Sequence, residues 1–305
     1  METSKGHAAA PEVAGVVGAG LMGAGVAHRA SQYGMRVVLI DEDEEALERA
    51  RQSVRDNARL AGLFVKGGAP TPVETILSGI RFTKDYDGLA EADIVVECVT
   101  EKWPIKRELF RRLGEVCRPD AVFASNTSAI PITRLASATS HPERVVGMHF
   151  MNPVHLKSFV EMAQGYHTSE RTLQVARAFA GRMGMETVTV QDAPGFVTNR
   201  ILMLTVNEAV WAAQDGVAPP ADIDRIFKGC FGHRMGPLET ADLIGLDTIL
   251  LSLEVLQESF GDPKFRPCPL LKKKVDAGLL GRKSGEGFYK YAAANSSGTP
   301  GPESR

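Results

Sequence analysis

A short apolar strand that runs into a glycine-rich turn constrains the fold more than any other sequence feature. The strand VAGVV leads into Gly18, Gly20 and Gly23 in the spacing G-x-G-x-x-G, and apolar residues at helical spacing follow. A second apolar segment, Arg36–Ile40, ends on Asp41. Strand, tight turn, helix and strand in this order predict the first βαβ unit of a doubly wound sheet.

Each glycine of the turn has a physical task if the unit holds a dinucleotide. Gly18 permits the tight turn, Gly20 lets the backbone approach a pyrophosphate, and Gly23 lets the helix pack closely on the strand. The backbone N–H groups at the start of the helix, around Leu21 and Met22, would face the phosphate charge. The alternative is a strand–helix turn without a ligand, but the strand, the helix and the spaced carboxylate together favour nucleotide binding.

Three consecutive carboxylates indicate which dinucleotide is expected. Asp41 would accept hydrogen bonds from the adenosine ribose hydroxyls. A 2′-phosphate at the same place would meet the negative charges of Asp41, Glu42 and Asp43 and be repelled. The sequence therefore predicts NAD, rather than NADP, as the cofactor.

Composition and charge exclude several classes of protein. The 305 residues are 44% hydrophobic and 24% charged, which is ordinary for a globular chain long enough to form two domains. The formal net charge of −2 gives no electrostatic case for binding nucleic acid or an acidic membrane surface. No apolar run is long enough to span a bilayer, and the polar start at residues 1–11 lacks the apolar core of a signal peptide.

The four cysteines, Cys98, Cys117, Cys230 and Cys268, are scattered and include no C-x-x-C pair. This spacing argues against a zinc site or a disulfide framework, and it fits a reducing compartment. We therefore expect no metal site and a cytoplasmic location.

Strand and helix signals alternate over the first two-thirds of the chain, with helical patterns such as Glu44–Leu60 and Pro104–Val116 between strands. The alternation predicts an α/β, Rossmann-type, doubly wound and mainly parallel sheet over residues 1–191. The expected strands are Val13–Val17, Arg36–Ile40, Ile80–Phe82, Ile94–Glu97, Ala121–Ala124, Val145–Met148, Phe159–Met162 and Glu186–Val190.

A breaker cluster, Gln191 to Gly195, marks a change to purely helical spacing. We expect an all-helical C-terminal domain over residues 192–291 and a disordered Ala/Ser/Gly/Pro-rich tail over 292–305. The large number of apolar residues in this helical region predicts a homodimer. The expected helices are a long one from about Phe196 to Gln214, followed by Pro220–Gly229, Thr240–Ser259 and Pro269–Ala277.

His149 is the strongest candidate for chemistry, because it follows an apolar strand at the edge where ligands of such sheets lie. Oxidation of a secondary alcohol by NAD requires a base, and imidazole has a suitable intrinsic pKa of about 6.5. Glu161, on the next expected strand, is the nearest carboxylate in sequence that could orient it. The alternative is a structural histidine.

Other polar residues follow strand ends but have structural alternatives. Ser128 closes the segment Ser-Asn-Thr-Ser, whose hydroxyls could hold a substrate oxygen or cap a helix. Asn199 would either face a cleft between the domains or be exposed. Glu101 would lie on the nicotinamide side or start the next helix. Asn126 is expected to contact the cofactor, and Asn152 to lie on the substrate side.

An ordered set of motifs resembles the L-3-hydroxyacyl-CoA dehydrogenase family from Val13 to Tyr291. The resemblance implies that His149 is the catalytic base, that Glu161 orients it, and that Ser128 and Asn199 hold the substrate hydroxyl. It also implies that Asp41, Glu101 and Lys106 serve the cofactor, and that the enzyme interconverts L-3-hydroxyacyl and 3-oxoacyl thioesters. The motifs are the glycine turn, Val96-Glu97 with Glu101 and Lys106, Ser125–Ser128, His149-Phe150-x-Asn152-Pro153, Val160-Glu161, Asp192-x-Pro194-Gly195-Phe196-Val197-x-Asn199-Arg200, Met235–Pro237, Gly245–Thr248, and Gly281-x-Lys283-x-Gly285-x-Gly287-Phe288-Tyr289.

The chain departs from the family pattern on the substrate side. His155 and Lys157 are polar residues at positions where binding of an unsubstituted acyl chain would favour apolar side chains. Residues 57–66 contain one lysine, whereas members of the family that act on fatty acyl-CoA are lysine-rich in this region. The group that carries the acyl thioester is therefore expected to be coenzyme A or an acyl carrier protein. With a carrier protein, the acyl group would be polar and of the glyceryl type, as in polyketide extender-unit biosynthesis. Oxidation of a free hydroxy acid, of the gulonate or carnitine type, and a non-enzymatic crystallin-like role are further alternatives.

Overall fold

The computed structural model describes residues 10–64 and 71–291, and in residues 61–64 only the helical backbone. It divides into two units, with the boundary after Phe196. The tail expected at residues 292–305 lies outside the described residues.

The first unit is built on an eight-stranded sheet in the order β3-β2-β1-β4-β5-β6-β7-β8. Every neighbouring pair is parallel except β6 and β7, which are antiparallel. The predicted mainly parallel, doubly wound fold is thus confirmed. The strands are β1 (Val13–Val17), β2 (Arg36–Ile40), β3 (Ile80–Thr83), β4 (Ile94–Glu97), β5 (Val122–Ser125), β6 (Val145–Phe150), β7 (Phe159–Gln164) and β8 (Glu186–Gln191).

Helices cover both faces of the sheet. Leu39 and Val96 point into one core with helices α1 and α6, while Ile40 and Phe123 point into the other with α4 and α5. Apolar side chains that alternate between two covered faces explain why the strands read as continuous hydrophobic runs. The helices are α1 (Leu21–Gln32), α2 (Glu44–Phe64), α3 (Val73–Ser78), α4 (Trp103–Val116), α5 (Ile132–Ala136) and α6 (Glu170–Arg182).

Strand β6 is longer than its sequence pattern predicts, and this corrects the expected position of His149. The apolar run ends at Met148, but the ladder with β7 continues through His149 and Phe150. His149 therefore lies within the strand, one residue before its end, rather than directly after it.

The second unit is helical in its described residues apart from isolated bridges near its end. One helix was expected over Thr240–Ser259, but the segment forms two, because Gly245 takes φ +105° between them. Two buried carboxylates stabilise the unit. Asp224 accepts hydrogen bonds from the first amides of one helix, and Asp242 accepts those of the glycine-rich segment near the C-terminus. The helices are α7 (Thr198–Gln214), α8 (Pro220–Phe231), α9 (Pro237–Ile244), α10 (Leu246–Phe260) and α11 (Pro269–Asp276).

Over residues 10–64 and 71–291, the helices are all too short or too polar to traverse a lipid bilayer.

Helix α1 is hydrogen-bonded to the turn that follows β6 and packs against it. Arg29 donates to the carbonyl oxygens of His155 at 3.0 Å and Met183 at 2.9 Å. Gly25 leaves room for Val154, which a β-carbon there would approach to 3.0 Å. His155 stacks its ring on that of His28, with centroids 5.3 Å apart and an interplanar angle of 18°. The glycine-turn helix and the segment after His149 therefore pack as one body.

His28 makes the stability of this packing sensitive to acid. Its side chain is fully buried, and burial, then His155, then Arg29 lower its pKa from 6.5 to about 4. As the pH falls below 6.5, His28 becomes protonated in the unfolded chain but stays neutral in the folded chain until the pH approaches 4. The free energy of unfolding should therefore fall between pH 6.5 and 4, by up to about 3 kcal/mol, and the contribution should then level off.

Chemical denaturation at several pH values between 7 and 4 tests this expectation. His28→Phe keeps an aromatic ring for the stack and should flatten the acid slope. His167→Phe removes an exposed histidine and should leave the slope as it is in the parent. An unchanged slope in His28→Phe would show that His28 does not carry the acid sensitivity.

Candidate active site

The glycine turn between β1 and α1 has the shape that a phosphate cradle needs. Gly18 takes φ +102° and donates its amide to the Ile40 carbonyl at 2.8 Å. A β-carbon on Gly23 would lie 1.8 Å from the Gly18 oxygen, so only glycine allows this packing. A β-carbon on Gly20 would meet nothing within 4 Å. The turn is thus closed on its protein side and open above Gly20, beside the first helical residues Leu21 and Met22.

A cavity of about 840 Å³ adjoins this turn at the point where the strand order reverses. Such switch points are where doubly wound sheets bind ligands. Asp41 lines the cavity, and its carboxylate accepts the Ala19 amide at 2.7 Å and the Asp43 amide at 3.0 Å. Asp41 therefore shapes the glycine turn as well as the cavity wall. The cavity and the open glycine together fit a dinucleotide.

Asp41 should decide between NAD and NADP. Asp41→Ala removes a carboxylate that would accept ribose hydroxyls, and it leaves the Ala19 amide without its acceptor. We expect the affinity for NAD to weaken roughly tenfold or more. The difference in affinity between NAD and NADP should also become smaller, because the charge that repels the 2′-phosphate is gone. Calorimetric titration with both cofactors measures these changes.

Asp43→Ala is the matched comparison. Arg49 lies 3.0 Å from the Asp43 carboxylate and offsets its charge. This substitution should therefore reduce the difference in affinity between NAD and NADP less than Asp41→Ala does. Tighter binding of NADP than of NAD by the unaltered protein would contradict the assignment.

His149 and Glu161 face each other across the antiparallel strands β6 and β7. They are paired residues in the ladder, and His149 Nδ1 lies 3.1 Å from a Glu161 carboxylate oxygen. Both side chains are buried, at 8% and 4% exposed. A buried carboxylate against Nδ1 keeps the proton on that nitrogen and stabilises the imidazolium form. Sequence position alone suggested the pair, and the strand register brings it together.

Phe196 is a neighbour of His149 that sequence reasoning did not assign to the site. Its ring centroid lies 6.1 Å from that of His149, and the side chain is 2% exposed. The backbone there takes φ +47°, which is uncommon for a bulky residue. Gly195, at φ +74°, and Asp192, which caps helix α5 through the amides of residues 132 and 133, hold the turn. The Pro-Gly-Phe signal for a tight turn was the available clue.

The turn that carries Ser128 (residues 126–130, here named the Ser128 turn) is held by a carboxylate. One oxygen of Glu101 accepts the amides of Ser128 at 3.2 Å and Ala129 at 3.1 Å, and it also accepts the Thr127 hydroxyl. The Asn126 side-chain oxygen accepts the Phe150 amide at 2.9 Å. Asn126 and Glu101 thus help to hold this turn, and the cofactor contacts expected of them stay a prediction.

Lys106 was also expected on the cofactor side, and it is almost completely buried. Its ammonium lies 2.6 Å from Glu97 and 3.1 Å from Glu101. Burial opposes its charge, but the two carboxylates outweigh burial and raise the pKa of Lys106. Burial likewise opposes ionisation of Glu101, yet Lys106 and the Thr127 hydroxyl lower the pKa of that carboxyl. The pair is therefore charged at neutral pH.

The residues expected on the substrate side occupy different surroundings. Asn152 is exposed and precedes Pro153 through a cis peptide bond. His155 is half-buried on His28, and Lys157 is exposed. Asn199 belongs to the second unit, where it is buried near the start of α7.

Two family models match the chain in succession. The first describes the NAD binding domain of 3-hydroxyacyl-CoA dehydrogenase and matches residues 13–193, and the second describes the C-terminal domain of the same enzyme and matches residues 195–291. The chain belongs to the 3-hydroxyacyl-CoA dehydrogenase family. The resemblance inferred from the ordered motifs is confirmed, and with it NAD as the cofactor and dehydrogenase as the class of enzyme.

Individual members of the family resemble the chain over most of its length. It is 49% identical to a probable 3-hydroxybutyryl-CoA dehydrogenase of Deinococcus radiodurans, covering 91% of this chain and 99% of the relative. It is 44% identical to the 3-hydroxybutyryl-CoA dehydrogenase of Bradyrhizobium diazoefficiens, covering 92% and 95%. The crystal structure of (S)-3-hydroxybutyryl-CoA dehydrogenase from Ralstonia eutropha superposes with a TM-score of 0.85 at 38% identity, covering 93% and 100%.

The names of these relatives bear on the alternative substrates. All three are named as 3-hydroxybutyryl-CoA dehydrogenases, and none is named for a carrier-protein thioester or a free hydroxy acid. His155 and Lys157 are therefore polar residues in a member of the 3-hydroxyacyl-CoA dehydrogenase family. The contact of His155 with His28 supplies a packing reason for one of the two departures.

Proposed function

We propose that the protein catalyses the reversible, NAD-dependent oxidation of short L-3-hydroxyacyl-CoA thioesters, with 3-hydroxybutyryl-CoA as the expected substrate. The observation that carries the proposal is the buried His149–Glu161 pair, 3.1 Å apart at the ligand edge of a dinucleotide-binding sheet. The family and its 3-hydroxybutyryl-CoA relatives support the choice of substrate.

His149 acts as the base that removes the hydroxyl proton. Glu161 occupies the Nδ1 side of the ring, so Nε2 is the nitrogen that accepts the proton. As Nε2 takes the proton the ring becomes positively charged, and the Glu161 carboxylate stabilises that charge. NAD, when bound in the cavity beside the glycine turn, supplies the hydride acceptor. In the reverse direction His149 returns the proton to the forming hydroxyl.

Ser128 and Asn199 are proposed to hold the substrate oxygen. The Ser128 turn begins at the end of β5, which is adjacent to β6 in the sheet. A hydroxyl donor there would hydrogen-bond the substrate hydroxyl and then the carbonyl that replaces it. Asn199 carries an amide that can serve the same oxygen. Asn152, His155 and Lys157 are proposed for the thioester side.

The function is tested by NADH formation with matched substrates. We expect efficient oxidation of L-3-hydroxybutyryl-CoA, little oxidation of its D-enantiomer, and slower oxidation of hydroxybutyryl and glyceryl carrier-protein thioesters and of free hydroxybutyrate. Greater kcat/KM for a carrier-protein thioester or a free acid would overturn the choice of coenzyme A. Absence of NADH formation with every substrate would overturn the dehydrogenase assignment.

We also propose that the protein is a cytoplasmic homodimer. Exposed apolar side chains on the helices of the second unit support the dimer, among them Ile201 at 62% and Phe231 at 66% exposed. The four cysteines are unpaired, which fits a reducing compartment. A monomer mass in light scattering at micromolar concentration would contradict the dimer.

A further inference from the structure

The cavity beside the glycine turn is lined, besides Asp41, by two side chains that stack on each other. Tyr86 begins a short 3₁₀ helix three residues after the end of β3, and Arg112 lies in α4. The central carbon of the Arg112 guanidinium lies 3.6 Å from the centroid of the Tyr86 ring. A stack at this distance, built from two separate elements, gives the cavity a flat and positively charged wall.

Tyr86 is held in place by the turn that precedes it. The Thr83 hydroxyl accepts the Asp85 amide at 3.0 Å, and the Asp85 carboxylate accepts the Asp87 amide at 2.9 Å. The Tyr86 side chain is 8% exposed. Its ring is therefore a fixed surface on which the guanidinium rests.

The register of the sheet brings Tyr86 close to Asp41. Strands β2 and β3 are parallel, and Thr83 lies opposite Ile40, the residue before Asp41. Burial raises the pKa of the Tyr86 hydroxyl, Arg112 opposes that rise, and Asp41 adds to it. The stack therefore lies next to the carboxylate that is expected to accept the ribose hydroxyls.

Arg112 differs from the arginine before it in how its charge is used. Arg111 forms ion pairs with Glu108, at 2.6 Å, and with Glu115. Within the part of the chain that the structure describes, Arg112 forms no ion pair, and it contacts the Tyr86 ring instead. Its side chain is exposed, so one face of the guanidinium rests on Tyr86 and the other is open to the cavity.

The place of the stack in the cavity indicates which part of the cofactor reaches it. If the pyrophosphate lies on the glycine turn and the ribose on Asp41, the adenine base is the next group beyond the ribose. Ile105 and Leu109, two turns and one turn before Arg112 in α4, line the cavity with it. Apolar side chains and an open guanidinium plane suit a flat aromatic ring.

We propose that Arg112, held flat by Tyr86, stacks on the adenine base and is a specificity-determining residue of the cofactor site. Because Tyr86 orders the guanidinium before the cofactor binds, little side-chain freedom is lost when the base arrives. This inference deepens the cofactor side of the proposed function and rests on the cavity as the site of NAD. It does not depend on the acyl substrate.

Calorimetric titration of Arg112 variants with NAD and with ADP-ribose, which keeps the adenosine half and lacks nicotinamide, tests the stack. Arg112→Met should weaken the affinity for both ligands about tenfold. Arg112→Lys keeps the charge but lacks the plane, so its affinity should fall nearly as far. Arg107→Met, which removes an exposed arginine of the same helix outside the cavity lining, is the matched control and should bind both ligands as the parent does.

A change of base separates stacking from attraction to the phosphates. Nicotinamide cytosine dinucleotide has the phosphates and riboses of NAD but a smaller, single-ring base. The parent should bind NAD more tightly than this analogue, and Arg112→Met should reduce that preference at least threefold, because the contact between residue and base is gone. Tyr86→Phe keeps the ring and should leave the affinity for NAD at the parent value.

Three results would overturn the proposal: parent-like NAD affinity in Arg112→Met, parent-like affinity in Arg112→Lys, or a preference between the two bases that Arg112→Met leaves unchanged. A parent that binds NAD but not ADP-ribose would also overturn it, because the adenosine half would then contribute nothing. None of these titrations needs an acyl substrate. Failure to oxidise L-3-hydroxybutyryl-CoA would therefore overturn the proposed function and leave the stack on adenine standing.

Discussion

Replacing His149 by glutamine should lower turnover about a hundredfold to ten-thousandfold, the range that a positioned acid–base group contributes. The amide of glutamine can hydrogen-bond Glu161 but cannot take up the hydroxyl proton. The fold and the affinity for NAD should be retained, because His149 lies on β6 and the glycine turn follows β1. Steady-state kinetics and NAD titration measure the two properties separately.

Glu161→Gln is the graded companion of this variant. It should lose less activity than His149→Gln, because the ring keeps a hydrogen-bond partner although the imidazolium loses its charged one. His167→Gln removes an exposed histidine and controls for nonspecific effects. Turnover near the parent value in a folded His149→Gln enzyme would remove His149 from the mechanism.

Gly23→Ala should be the most destabilising single change in the cofactor site. Its β-carbon would lie 1.8 Å from the Gly18 oxygen, a backbone atom that moves only if the turn opens. We expect the free energy of unfolding to fall by about 3 kcal/mol, at the upper end for overpacking, and NAD binding to be lost. Denaturant titration and calorimetry check the two effects.

Gly20→Ala isolates binding from stability in the same turn. Nothing lies within 4 Å of a β-carbon at this position, and its backbone is extended at φ −67°, which alanine adopts readily. Stability should therefore stay within about 0.5 kcal/mol of the parent, while NAD binding weakens because the pyrophosphate cannot approach the backbone. Parent-like NAD affinity in Gly20→Ala would mean that the phosphates bind elsewhere.

Much of the first unit follows from local sequence signals. Strands β1, β2 and β4 have the bounds that their apolar runs predict, because each run is closed by a glycine or a polar residue. The glycine turn could also be predicted, because the spacing of its glycines matches the positions where the turn has no room for a side chain or needs a positive φ. The prediction of two helical segments as one, over Thr240–Ser259, failed because the positive φ of Gly245 depends on contacts distant in sequence.

The environment of the candidate site could not be predicted in the same way. A pattern of residues does not say that β6 and β7 run antiparallel, which is what sets His149 opposite Glu161. Burial of Lys106 was also hidden, because its position in an amphipathic helix looks like that of any lysine. Both features arise from pairing between segments, and a single sequence carries little information about such pairing.

The antiparallel pair β6 and β7 fixes the position of the proposed base through the main chain. Backbone hydrogen bonds fix His149 opposite Glu161, and a slip of one residue would turn either side chain to the other face of the sheet. Within residues 151–158, which join the strands, Val154 and His155 pack against α1, whereas Asn152 and Lys157 are exposed. Substitutions at the exposed positions should therefore leave the strand register unchanged, so directed evolution for new acyl groups should start there.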